Sequence, residues 1–132
     1  MEKSTLRLVR DLSRKLSNAA DFDSAYLTWK ETGGDMVGLK LRYSDAIRAY
    51  REAEALIRKI VDRTPYHFSL GVKAQTALAE HWCRQVEVVE KAGFTYETYQ
   101  AWDNSLKYYR KLLMVLGEEL MYAFHLKEGG AE

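Results

Sequence analysis

An all-α fold, an antiparallel bundle of four main helices, is what this sequence predicts, and three observations carry the prediction. Only one proline occurs in 132 residues. Apolar residues recur at alternating spacings of four and three over long stretches, the period of a helix buried along one side. The breakers Gly33-Gly34, Pro65 and Gly93 divide the chain into stretches of helical length. The expected helices run from about 3–20, 36–64, 69–92 and 95–126, with a short extra helical turn near 23–32, all within a single helical-bundle domain over 1–132.

The first stretch places Leu6, Leu8, Val9, Leu12 and Leu16 in one broad arc at 100° per residue. Phe22, Tyr26 and Trp29 then stand at helical spacing in the short extra turn, which Thr32-Gly33-Gly34 ends, since glycine tolerates the left-handed backbone that follows a helix. Asp35 is the expected N-cap of the second helix. Its seam, Leu39, Tyr43, Ala46, Tyr50, Ala53, Ile57 and Ile60, is the most regular pattern in the chain and implies a helix of about 28 residues, roughly 42 Å long. Asp45/Arg48 and Glu54/Arg58 are expected to pair on its outer face. Pro65 stops it.

In the third helix, Ala74, Leu78, Trp82, Val86 and Val89 are the expected inward face, with Glu80/Arg84 and Glu87/Lys91 opposite. Gly93 closes it, and Thr95 then N-caps the fourth helix with Phe94 and Tyr99 spaced as a hydrophobic staple. That fourth helix carries two seams. Tyr99, Trp102, Leu106, Tyr109, Leu113, Leu116, Leu120 and Phe124 form one, and Ala101, Tyr108, Leu112, Val115, Tyr122 and Leu126 form the other. Met114 and Met121 fall on the remaining side, expected to face outward. A helix apolar around most of its circumference in a small bundle has more to bury than its own bundle can cover. Met114, Met121, Tyr122 and His125 are therefore the expected protein interface, methionine being frequent at adaptable contacts.

Composition excludes several classes. A single cysteine builds neither a disulfide framework nor a cysteine-rich zinc site, which implies a reducing, cytoplasmic setting or one inside a virion or intracellular assembly. No run reaches the roughly 18 apolar residues of a membrane span, and no apolar signal core follows Met1. Chemistry is equally sparse. The Glu-x-x-His pairs of carboxylate-metal bundles are missing, and His67, His81 and His125 lie in three separate segments. Cys83 beside Trp82 has the place of a small core residue, Gly33-Gly34 lacks the rest of a phosphate loop, and the nine tyrosines lie mostly in helical seams. Neither catalytic residue, metal, cofactor nor small-molecule substrate is expected.

One constellation rises above packing. Lys3, Arg7, Arg10 and Arg14 recur at spacings of four, three and four and form a basic ridge on the first helix, which the second extends with Arg42, Arg48 and Arg51. Such a ridge can follow a phosphate backbone without reading bases. The near balance of 20 Lys+Arg against 19 Asp+Glu hides two unlike halves: residues 1–64 carry net +3 and residues 65–132 net −2. The competing account pairs the ridge with acids such as Asp21, Asp23 or Glu31.

The run Arg42-Tyr43-Ser44-Asp45-Ala46-Ile47-Arg48, with Lys73-Ala74-Gln75 further on, resembles the second and third helices of flagellin-specific export chaperones over less than a quarter of the chain. In size and helical class the chain is also similar to the small helical subunits of CRISPR surveillance complexes, to helical coat proteins of filamentous archaeal viruses and to phage terminase small subunits. The sequence therefore leads to the expectation of a non-catalytic bundle subunit acting through protein contacts in an assembly or homo-oligomer. The alternative is a nucleoprotein small subunit that holds nucleic acid through its backbone.

Overall fold

The computed structural model describes residues 3–63, 70–93, 95 and 98–131, and their side chains except at 3, 4, 70, 71, 89, 99 and 124–131. Four helices follow in order: α1 Lys3–Glu31, α2 Met36–Arg63, α3 Leu70–Ala92 and α4 Tyr99–Ala131. They pack as an all-α bundle in which α1 lies on α2 and α4, and α3 on α4 and α2. Among the described residues α1 and α3 do not meet, so α2 and α4 form the short diagonal through the core.

The expected break near residue 20 does not occur: α1 is one helix of 29 residues. No glycine or proline interrupts it, and Thr5, Val9, Leu12, Leu16, Ala19, Asp23, Tyr26 and Lys30 continue one seam at spacings of four and three. The extra turn is expected to follow from Asp23, a residue type that favours caps and turns. Asp23 instead enters the core, where partners on two other helices meet its charge.

At the end of α1, Gly33 takes a φ of 74°, its N–H bonds to the Lys30 carbonyl, and the Gly34 N–H reaches back to Trp29. This double closure satisfies carbonyls that the last turn leaves open. Asp35 caps α2 as expected, its carboxylate accepting from the Gly38 N–H at 2.7 Å. Trp29 fills the angle between the two helices, because a Cβ on Gly34 or Gly38 would stand 2.2 or 2.5 Å from its ring. The Arg42 guanidinium covers that ring at 3.8 Å.

The α2 seam is buried along its whole length, joined by Ile47, Ala49, Glu54 and Val61. Thr64 and Pro65 lie outside the described residues. In α4, Trp102, Leu106, Tyr109, Leu113, Leu116 and Leu120 are all sealed from solvent, as the first seam predicts. This helix starts later than expected, at Tyr99, and runs on to Ala131. Thr95 and Thr98 exchange backbone-to-hydroxyl bonds ahead of it in the manner of a capping box. The Phe94–Tyr99 staple falls outside the described side chains.

α3 is rotated from the expected orientation. Val72, Thr76, Ala79 and Val86 are buried, with Cys83 packed beside them, whereas Ala74 and Leu78 are exposed and Trp82 is half-buried. The side chain of Val89 is not described. The reason is space: Tyr43 and Tyr50 of α2 and Trp102 and Tyr109 of α4 fill the centre together with Tyr26 of α1, the rings of Tyr26, Tyr43 and Trp102 standing 5.1–6.2 Å apart edge to face. The row of α3 that carries small residues fits against this bulk, and the larger Leu78 and Trp82 are left on a flank.

Candidate interaction face

Two kinds of arrangement emerge from these helices, one interior and polar, one exterior and apolar. Three carboxylates, the buried Asp23 and Glu54 and the part-buried Asp103, each accept a hydrogen bond from a tyrosine hydroxyl at 2.6 Å: Asp23 from Tyr50, Glu54 from Tyr109 and Asp103 from Tyr26. Each also meets a cation. Arg110 donates to Asp23 through both Nε and a terminal nitrogen, Lys30 reaches Asp103 at 3.0 Å, and Arg58 stands 3.2 Å from Glu54. The ties run from α1 to α2 and α4, from α1 to α4 and from α4 to α2, and Arg58 continues to Glu80 on α3 at 3.1 Å. A buried carboxylate without its partners is costly, so helices slipped in register would strand these groups.

Burial, with the neighbouring carboxylates, raises the hydroxyls of Tyr50 and Tyr109 above the ordinary tyrosine range, so both remain protonated donors. Burial acts to lower Arg110, but its bonds to Asp23 outweigh that and raise it. Burial also pushes the Cys83 thiol up, away from the reactive thiolate. Among the described residues no group of three or more His, Cys, Asp or Glu is placed to hold a metal ion. No helix there is long and apolar enough to cross a membrane.

Glu54 was expected outside and is 1% exposed; Arg58 pairs with it from the rim. On α3 the acids reach across to α2 rather than along their own helix: Arg51 stands 3.8 Å from Glu87 and 3.5 Å from Glu90, and Glu80 takes Arg58. Burial raises Glu90, against the lowering effect of Arg51.

The basic ridge is partly absorbed by these contacts. Arg7, Arg10 and Arg14 are exposed on α1, with Arg14 paired to Asp11 on its own helix at 2.9 Å; the Lys3 side chain lies outside those described. Asp23, one of the acids considered as a partner for the ridge, is instead held from inside by Tyr50 and Arg110. On α2, Arg42 is laid on Trp29, Arg48 stands 3.9 Å from Asp45, and Arg51 is turned to α3. Between α1 and α2 an open groove of about 720 Å³ is lined by Arg14, Lys15 and Lys59, but also by Asp11 and Glu52.

The exterior apolar face lies on α3 and α4. The second seam of α4 is the one left uncovered: Tyr108, Val115 and Tyr122 are exposed, Tyr122 at 65%, while Leu112 is half-buried. Leu126 is not among the described side chains. From α3, Trp82 stacks on Tyr108 at 5.1 Å and an interplanar angle of 23°, and Leu78 extends the surface. Leu78, Trp82, Tyr108, Lys111, Leu112 and Val115 line a shallow groove of about 200 Å³.

Of the four residues expected at an interface, Tyr122 belongs to this face. Met114 and Met121 do not stand outward as expected: both are half-buried and pack against the core. Gly117 brings α1 and α4 together, a Cβ there being 2.3 Å from Leu16 Cδ1, so the side of α4 assigned to the methionines is closed by α1. The His125 side chain lies outside the described residues. Leu78 and Trp82 were missed as surface residues because large apolar side chains dominate a periodicity count. No protein-family profile, curated protein or solved structure matches this chain.

Proposed function

We propose that the chain is a non-catalytic bundle subunit that works by protein–protein contact, with the apolar face of α3 and α4 as its docking surface in an assembly or homo-oligomer. The observation that carries this is the exposed row Leu78, Tyr108, Val115 and Tyr122 with the half-buried Trp82 stacked on it, aromatic and aliphatic surface of two helices beside a sealed core. Contiguous exposed apolar surface of this kind marks contact sites, and aromatic residues are enriched in them. The stack of Trp82 on Tyr108 holds two rings in place before any partner arrives, which lowers the ordering cost of binding. The interior carboxylates support the reading from the other side, since each is matched by a tyrosine and a cation and serves to lock the helices that present the face.

A phosphate-tracking role would rest on the exposed Arg7, Arg10 and Arg14 of α1 and Arg48 of α2, whereas Arg42 and Arg51 are half-buried against Trp29, Glu87 and Glu90. A photo-crosslinking residue placed at Val115 in cells of the source organism tests the leading reading, with the same residue at the exposed Arg48 on α2 as control. Protein adducts at position 115 and not at 48 are expected. Equal labelling at both positions, or none at 115, defeats it.

A further inference from the structure

We infer that the occupant of this face is a second copy of the chain, with its α4 laid antiparallel across the first. The inference rests on the reading of the face as a contact surface and adds the identity of the partner. It follows from how residues are distributed along α4. Tyr108, Val115 and Tyr122 are seven residues apart and form a single exposed stripe with an aromatic ring two turns either side of the valine. Lys111 and Glu118, both exposed, are also seven apart and so share one line beside that stripe.

The two pairs have nearly the same centre. Tyr108 and Tyr122 are symmetric about Val115, and the midpoint of Lys111 and Glu118 lies about half a residue from it. A two-fold axis crossing the stripe at Val115 therefore brings Tyr108 of each copy to Tyr122 of the other. The same axis brings each Lys111 to the other copy's Glu118. In an antiparallel pair of helices the residues on one flank meet their counterparts on the same flank, the relation these two positions have. Charge runs the same way along the stretch: Lys107 and Lys111 precede Val115, and Glu118 and Glu119 follow it. An antiparallel copy reverses that gradient onto itself, whereas a parallel copy in register sets lysine beside lysine and glutamate beside glutamate.

The α3 side adds apolar surface without opposing charge. Leu78 and Trp82 border the stripe, and the other exposed positions nearest that edge in the helical projection, Ala74, His81 and Gln85, bear neither carboxylate, ammonium nor guanidinium. One copy's uncharged α3 edge and mixed-charge α4 edge are thus the complement of the other's, as an isologous interface requires.

Sedimentation equilibrium on the purified chain, over rising concentration and at two salt levels, tests the pairing through a charge swap. Lys111→Glu and Glu118→Lys, each alone, put like charges together at two symmetric contacts and should each weaken the dimer by about tenfold or more. The double variant K111E/E118K restores the opposite pairing and should return dimerisation to within about threefold of the original. Circular dichroism checks that these exposed substitutions leave the helices intact. A monomer at every concentration, or a double variant no stronger than the singles, overturns the inference. If that monomer still crosslinks to another protein through position 115, self-pairing alone has failed; if position 115 crosslinks to nothing, the contact reading has failed with it.

Discussion

The α1–α2 hairpin and the α3–α4 hairpin solve the same problem differently. In the first, a glycine-closed turn, the Asp35 cap and Trp29 lodged over Gly34 and Gly38 fix the angle between helices, and both seams are sealed. Its exposed Val37 and Leu41 sit one turn apart on α2, bounded by Lys40 and Asp45. In the second hairpin only one seam of α4 is sealed, and α3 gives the core mostly small side chains while Leu78 and Trp82 remain outside. The bundle therefore closes its core with little side-chain volume from α3. The apolar surface left over on α3 and α4 lies outside that core.

The largest effect is expected where the sealed part is tied together. Asp23 joins α1 to α2 and α4 through Tyr50 and Arg110, so Asp23→Ala leaves a half-buried guanidinium and a buried hydroxyl without their acceptor. A loss of about 3 kcal/mol in urea unfolding is expected. A loss below about 1 kcal/mol means that the tie is solvated and the contrast between the two hairpins is not one of stability.

Parts of this contrast are legible in the sequence. The α2 seam and the first seam of α4 are strictly periodic and uninterrupted, and both are buried as their spacing predicts. The second seam of α4 is equally visible, and Tyr108, Val115 and Tyr122 lie in it. Two features stayed hidden for physical reasons. Asp23 sits at a seam position of α1, but a carboxylate there signals a helix break until its partners, 27 and 87 residues away, are known. Which row of α3 turns inward depends on how much room Tyr43, Trp102 and Tyr109 leave, a tertiary property that hydrophobicity along one helix does not encode. The same limit explains Met114 and Met121, covered by the close approach of α1 at Gly117.

Alkaline pH is expected to weaken the sealed part by an intermediate amount. The folded-state values of Tyr50 and Tyr109 are raised by burial, chiefly, and by their carboxylate neighbours. Between the unfolded value of about 10 and the higher folded one, the folded state binds more protons than the unfolded. Stability is therefore fully present below pH 10 and falls above it, by up to about 1.4 kcal/mol per pH unit for each tyrosine. Urea midpoints measured from pH 8 to 11 should show this decline, and Tyr50→Phe or Tyr109→Phe should each flatten it. An unchanged slope in both variants places the alkaline sensitivity outside the carboxylate ties.

The smallest effect is the most discriminating. If Leu78 and Tyr122 belong to a surface kept for a partner, the isolated chain gains little from them. Leu78→Ser and Tyr122→Ser should then shift the urea midpoint by an amount equivalent to about 0.5 kcal/mol or less at concentrations where the chain is monomeric. Leu106→Ser, in the sealed seam of the same α4, should cost about 3 kcal/mol or more, since it leaves both a cavity and a buried hydroxyl. The ratio of these losses measures how far the outer seam is independent of the fold. Comparable losses at Leu78 and Leu106 would make the α3–α4 face part of the bundle's own core and remove the ground for assigning it to a partner. A negligible loss at Leu78 and Tyr122, together with a lower tendency to associate as concentration rises, fits a face whose free energy is realised only on contact.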